Sequence, residues 1–364
     1  MRRLLFAALL LLCCAYGCIA KTEYRSPYPP DPDLEVFPET DESETWGTRV
    51  ANIVPKEGDK VGQWQNIRIA VNPAMMQSEM MYCLTKGRQI SGYTRRIRNG
   101  FDREVCKVVR RIGAMRLARR VMLGVMPKAI ELHVERLKVK RVEGPLRINV
   151  SSNPEPISDA EGTMCAEMVP VFDGDEGMGI PNADFVIYLG LSTKNPGTKI
   201  CTYDRRGRPT SAMIKLNPSE IEFTPQYIRL VAHEIAHGLG FSMDVKKFKE
   251  MVRSEDRSSF VGYRDLRSSK IMESVYELFG CLEAIGIKLD NSPPESENDD
   301  EPHFGGSAVQ DELMAPLHRT RGGKRLYSTL TLAAFESTGH YQVDYNKAEK
   351  LWEGKKACVY LKVP

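Results

Sequence analysis

The stretch His233-Glu234-Ile235-Ala236-His237 constrains this chain more than any other. On an α-helix, residues four apart share one face and lie about 6 Å apart along the axis. Two imidazoles at that spacing can be aimed at one metal ion. Glu234, one position round, can hold and deprotonate a water that the metal activates. The flanking residues fit a helix. Thr224-Pro225 reads as an N-cap followed by proline in the first turn. Ile228, Val231, Ala232 and Ile235 recur at helical spacing and predict the buried face. Gly238 and Gly240 follow the second histidine, where a chain can turn sharply out of a helix.

Two histidines do not complete a catalytic zinc site, which takes three protein ligands and one open position. In the H-E-x-x-H-x-x-G-x-x-H pattern of metzincin peptidases the third histidine would fall at position 243. Gly240 matches that pattern, but Met243 stands where the ligand should be. The other histidines are His133, His303, His318 and His340. Glu273 and Glu277, on the apolar-periodic run 270–282, are further options. Spacing alone leaves these candidates open.

The remaining segments bound the class of molecule. Residues 1–20 have a basic start, a short apolar core and a small-residue end, the pattern of a secretory signal peptide. Residues 21–45 are rich in Pro, Asp, Glu and Ser and read as a flexible leader or short pro-segment. Beyond the signal peptide the cysteines are Cys83, Cys106, Cys165, Cys201, Cys281 and Cys358, an even set that suggests disulfides in an oxidising compartment. Asn149-Val150-Ser151 is a candidate N-glycosylation sequon. The region 95–141 is dense in Arg and Lys. Val108, Ile112, Met115 and Leu117 give it an interrupted helical pattern, so those charges read as a solvated face, with Pro127 dividing two helices. A formal net charge of only +3 gives no support for a nucleic-acid partner. Runs 67–71, 185–191 and 213–216 predict strands, and 270–282 and 330–336 predict helices.

One distant segment singles out a third ligand. Residues 302–316, Pro-His303-Phe-Gly-Gly-Ser-Ala-Val-Gln-Asp-Glu-Leu-Met314-Ala-Pro, resemble the distal-histidine and Met-turn region of the leishmanolysin family, surface metalloproteases of trypanosomatids. His303 lies 66 positions beyond His237, similar to the long insertion of that family. Segments 64–71, 129–138, 182–188, 330–335 and 341–344 also resemble it, so the likeness runs from about Trp46 to the end.

The resemblance implies that His233, His237 and His303 bind one Zn²⁺ per chain. It implies that Glu234 is the general base and that Met314 forms a hydrophobic floor under the metal. His133 lies in a helix-like segment and reads as a structural histidine, and His318 and His340 read as surface or second-sphere residues. The resemblance pairs the cysteines in sequence: Cys83–Cys106, Cys165–Cys201 and Cys281–Cys358. The fold it implies is α+β. Residues 46–242 would form an N-terminal catalytic subdomain, a twisted mixed sheet plus the active-site helix, with an edge strand beside a cleft. Residues 243–364 would form a more irregular C-terminal subdomain carrying the third histidine and the Met-turn. The family's propeptide carries a cysteine able to occupy the zinc, and no cysteine stands between Lys21 and Tyr82, so no cysteine-switch latency is expected; nor is the family's further cysteine-rich domain or C-terminal membrane-anchor signal expected from this sequence.

The function expected is a secreted zinc endopeptidase acting on proteins or peptides, extracellular or at the cell surface. Its rivals are a catalytically inactive adhesion or decoy protein on the same scaffold, a metallopeptidase using Glu273 or Glu277, and a basic binding module. Oligomeric state has no signature in the sequence.

Overall fold

The computed structural model describes residues 49–50, 62–85, 101–141, 144–148, 165, 179–193, 196–255, 263–290, 301–316 and 324–351. The signal-peptide and leader segments, Asn149, His318 and Cys358 lie outside them.

The fold is α+β. Its strands are β1 (Arg49–Val50), β2 (Trp64–Asn66), β3 (Ile69–Asn72), β4 (Leu137–Lys140), β5 (Phe185–Leu191), β6 (Gly197–Tyr203), β7 (Pro209–Leu216), β8 (Val252–Glu255), β9 (Tyr263–Leu266), β10 (Ile287–Lys288) and β11 (Gln342–Val343). Its α-helices are α1 (Ala74–Leu84), α2 (Phe101–Ile112), α3 (Ala114–Arg119), α4 (Met126–Val134), α5 (Pro225–Leu239), α6 (Lys246–Lys249), α7 (Ser269–Phe279) and α8 (Thr329–Ser337).

The main sheet has the order β1-β3-β5-β7-β6. β3, β5 and β7 run parallel, and β1 and β6 close the two ends antiparallel. β5 reads FVIYLGL and is buried along its whole length, as a central strand covered on both faces must be. Its side chains alternate. Phe185, Ile187, Leu189 and Leu191 join the core on the helix side, with Ile69, Val71, Ala212, Ile214 and Leu216. Val186 and Tyr188 face a smaller cluster with Ala70, Met213 and Cys201. That is the period-2 alternation of a pleated strand. The larger cluster runs without a break from Ile67 to Leu351, across position 243.

The 67–71, 185–191 and 213–216 predictions correspond to β3, β5 and the end of β7. β6 was not foreseen. It is an edge strand, half-buried at its start, and its register with β7 shifts near Cys201. Such irregularity breaks the alternating pattern that a sequence reading depends on. The hairpin to β7 turns at Gly207, whose φ of +78° lies in the left-handed region.

Pro127 does not divide two helices, and that expectation is corrected. The chain runs from α3 through a π-helical turn, Arg120–Val125, directly into α4, where Pro127 occupies the first turn. Proline has no N–H to give to the preceding turn, and the wider π turn, in which the Met126 N–H reaches back to the Val121 carbonyl, lets the helical run pass through it. The interruption falls instead at Gly113, with φ +94°.

Disulfides join Cys83 to Cys106, tying α1 to α2, and Cys165 to Cys201, anchoring β6. Cys281 is also disulfide-bonded. Two three-stranded antiparallel sheets complete the fold. In the order β11-β4-β2 the segment after α8 pairs back to residues 137–138. In the order β10-β9-β8 the chain beyond α5 builds its own support. Among the described residues no helix is long and apolar enough to cross a membrane.

Candidate metal centre

α5 starts as the sequence predicted. Its N-cap Thr224 accepts a hydrogen bond from the Tyr227 N–H at 3.3 Å, and Pro225 occupies the first turn. Its second half is buried all round: Val231, Ala232, Ile235 and Ala236 in the core, and His233, Glu234 and His237 each at most 3% exposed. Gly238 lets the helix approach the sheet. A Cβ there would sit 2.9 Å from Ala212 Cβ and 3.4 Å from Phe185 Cζ. The helix ends at Gly240, whose φ is +121°. The chain then turns so that the Phe241 carbonyl accepts from His237 Nδ1 at 2.8 Å.

His303 reaches the same point from the other side. It is fixed by backbone pairing to the end of β10 and the residues just after it. Asp290 N–H donates to the His303 carbonyl and Gly305 N–H to the Lys288 carbonyl, both at 2.8 Å. Gly305 permits this approach, since a Cβ there would lie 3.0 Å from the Asp290 nitrogen. The Phe304 N–H donates to the Met314 carbonyl at 2.8 Å, so the Met314 turn is strapped to the residue next to His303.

The result is a triangle of Nε2 atoms. His233 to His237 is 3.1 Å, and His303 is 3.2 Å from each. A tetrahedral zinc with Zn–N bonds of about 2.0–2.1 Å places its nitrogens roughly 3.3 Å apart, so this spacing fits a three-histidine zinc site. Among the described residues it is the one cluster of three or more His, Cys, Asp or Glu able to hold a metal ion.

The outer nitrogens fix the tautomers. His233 Nδ1 lies 2.6 Å from the Leu313 carbonyl and His237 Nδ1 2.8 Å from the Phe241 carbonyl. A carbonyl only accepts, so Nδ1 carries the proton and each Nε2 lone pair faces the centre. Burial reinforces this by pushing the His233 imidazolium well below its ordinary pKa and that of His237 down to about 4. Neutral imidazoles are the form a metal requires.

Glu234 is held in turn. The Thr198 hydroxyl of β6 lies 2.8 Å from Glu234 Oε2 and 3.0 Å from the Glu234 carbonyl. Met314 is fully buried, and its N–H donates to Glu312 Oε2 at 2.9 Å. Glu312 also accepts from Thr331 Oγ1 at 2.7 Å and from the Ser328 hydroxyl. Arg325 Nη1 lies 3.5 Å from the Leu313 carbonyl, 3.3 Å from that of Ala315 and 3.5 Å from His233 Nδ1. Burial pushes its guanidinium down to about 10, while Glu234 pulls it back up.

The other candidates are elsewhere. Glu273 and Glu277 are exposed on α7, Glu273 beside Lys270. Met243 is half-buried and outside the triangle. His133 is buried on α4, with Nε2 2.9 Å from the Ala232 carbonyl, so it braces the back of α5. Burial lowers its pKa to about 3. His340 is half-buried. Sequence reasoning missed Thr198, Glu312 and Arg325. Glu312 stood inside the segment 302–316, whereas nothing marked Thr198 or Arg325.

An α+β body in which a helix bearing two histidines and a glutamate converges with a distant loop histidine has the makings of a metallopeptidase centre. The sequence profile of the leishmanolysin family matches residues 40–363, and the chain belongs to that family. It is 27% identical over 317 residues to leishmanolysin of Leishmania tropica, covering 83% of this chain and 44% of the relative. A leishmanolysin homolog of Crithidia fasciculata is 26% identical over 314 residues, 82% of this chain and 44% of its own length. The ciliated left-right organizer metallopeptidase of Xenopus laevis is 26% identical over 217 residues, 52% of this chain and 29% of its own length. The chain spans about half the length of the leishmanolysins it matches.

Proposed function

We propose that this chain is a zinc-dependent endopeptidase of the secretory pathway, hydrolysing peptide bonds in extended protein or peptide segments. The observation that carries this reading is the Nε2 triangle at 3.1–3.2 Å, with Glu234 on the same helix. His233, His237 and His303 would hold one Zn²⁺, which when bound acidifies a water molecule and polarises a carbonyl.

The rest is work for the chain's own residues. Glu234 takes a proton from the attacking water as its oxygen bonds to the scissile carbon. It returns that proton to the departing amine nitrogen as the C–N bond breaks. No net proton is gained or lost by the carboxylate. Substrate backbone lies along β6, the end strand of the main sheet, so recognition falls largely on main-chain hydrogen bonds. The Leu313 carbonyl keeps His233 in its orientation, and Met314 would form the hydrophobic floor under the metal. Residues 1–20 serve as signal peptide and 21–45 as leader. Subdomains 46–242 and 243–364 meet at the metal, and the product acts outside the cell or on its surface.

The test is zinc stoichiometry together with cleavage of a fluorogenic peptide by the purified chain, with and without a chelator. Glu234→Gln is expected to keep one zinc and lose at least about 100-fold in kcat. Full activity in that variant, or no zinc in the native chain, would overturn the reading. One zinc with no cleavage in the native chain would point to the inactive adhesion or decoy protein.

A further inference from the structure

We propose that Thr198 is the positioning residue for Glu234, so that the edge strand receiving substrate also aims the general base. This inference rests on the zinc-peptidase reading above. Its geometry is independent of any metal.

Thr198 faces α5 with both branches of its side chain. The hydroxyl lies 2.8 Å from Glu234 Oε2 and 3.0 Å from the Glu234 carbonyl. One hydroxyl proton thus serves two acceptors on one residue, and the carboxylate is tied to its own backbone through Thr198. The methyl sits over Gly238, whose added Cβ would lie 3.4 Å from Thr198 Cγ2. Glycine at 238 and threonine at 198 are therefore matched in shape. The strand is held on both flanks. Thr198 is in register with Ile214 of β7, and the next residue, Lys199, pairs with Asp244 beyond the end of α5 at 3.2 Å.

A glutamate side chain has three torsions to fix, and a carboxylate that samples several orientations spends little time aimed at a reacting water. General-base catalysis depends on that aim, and displacement of about 1 Å can cost up to 100-fold. Zinc binding needs only the histidines. Loss of the Thr198 hydroxyl should then lower turnover and leave the metal in place.

The experiment compares Thr198→Val, which keeps the shape and loses the hydroxyl, with Thr198→Ser, which keeps the hydroxyl and loses the methyl. In the full chain loaded with zinc, Thr198→Val is expected to lower kcat by about 10-fold, with KM within about 2-fold and zinc stoichiometry unchanged. Thr198→Ser is expected to recover kcat to within about 3-fold. Unchanged kcat in Thr198→Val, or equal impairment in Thr198→Ser, overturns the proposal. A second readout needs no turnover. A peptide hydroxamate binds the metal and hydrogen-bonds the neighbouring carboxylate. Thr198→Val should weaken its binding about 5-fold in the native background and not at all in Glu234→Gln. Additive losses in that cycle overturn the positioning role, even if the native chain cleaves no peptide and the peptidase reading itself fails.

Discussion

Replacing Glu312 should loosen the metal centre from behind, because this one carboxylate organises the Met314 turn without touching the triangle. It is fully buried. Oε2 accepts from the Met314 N–H at 2.9 Å and from Thr331 Oγ1 at 2.7 Å. Oε1 accepts from the Ser328 N–H at 3.3 Å and from the Ser328 hydroxyl. Burial pushes the carboxyl above its ordinary range, and these donors pull it back. In Glu312→Ala the two hydroxyls can turn to other acceptors, but the two backbone N–H groups cannot. Leaving a buried donor unsatisfied costs about 1–3 kcal/mol, and with the cavity the sum is about 3–5 kcal/mol. For a chain of this size that lowers Tm by about 4–7 °C. Glu312→Gln should cost only about 1–3 kcal/mol. Its amide oxygen can serve the Met314 side and its NH₂ can donate to the Ser328 hydroxyl, leaving one N–H without an acceptor. Because the Leu313 carbonyl orients His233, the alanine variant should also bind zinc about 10-fold more weakly. Calorimetric melting of the metal-free chain and zinc competition against a chromogenic chelator measure the two effects. A Tm within 2 °C of native in Glu312→Ala would refute the assignment of Glu312 as the organiser of this turn.

Glu79 supplies a pH signature of its own. Burial raises its pKa to about 8, against a hydrogen bond from the Leu191 N–H and the charge of Lys215. The native state therefore binds more protons than the unfolded chain between about pH 4.5 and 8. Stability should fall as pH rises through that window, by up to about 1.4 kcal/mol per pH unit from this group. Glu79→Gln should remove that slope and be the more stable protein above pH 8, and parallel Tm profiles for the two proteins would count against it. Gly238→Ala drives a methyl to 2.9 Å from Ala212 Cβ and should cost about 1–3 kcal/mol. Ala212→Gly should recover part of the loss in the double variant, and strict additivity in denaturant titrations would show that this contact is not the cause.

The legible parts of this protein were those governed by local geometry. Helical periodicity placed His233, Glu234 and His237 on one face because four residues make about one turn, wherever the helix lies. The Thr224 cap and the Gly240 exit were readable for the same reason. His303 could be reached only through resemblance, because its distance from His237 along the chain says nothing about distance in space. Backbone pairing of residues 303–305 with the end of β10 and the residues just after it brings it in. Tertiary structure alone decided which nitrogen of each helix histidine faces the centre, since the deciding carbonyls, Leu313 and Phe241, are supplied by the fold. It also decided that Pro127 lies within a continuous α–π–α run. β6 and Thr198 were hidden because an edge strand is half-solvated and irregular, so its sequence carries no strong alternation. Sequence thus determined the two histidines on one helix and their spacing. The third imidazole, the tautomers and the hold on Glu234 came from long-range contacts, which depend on where the packed core leaves each backbone carbonyl and hydroxyl.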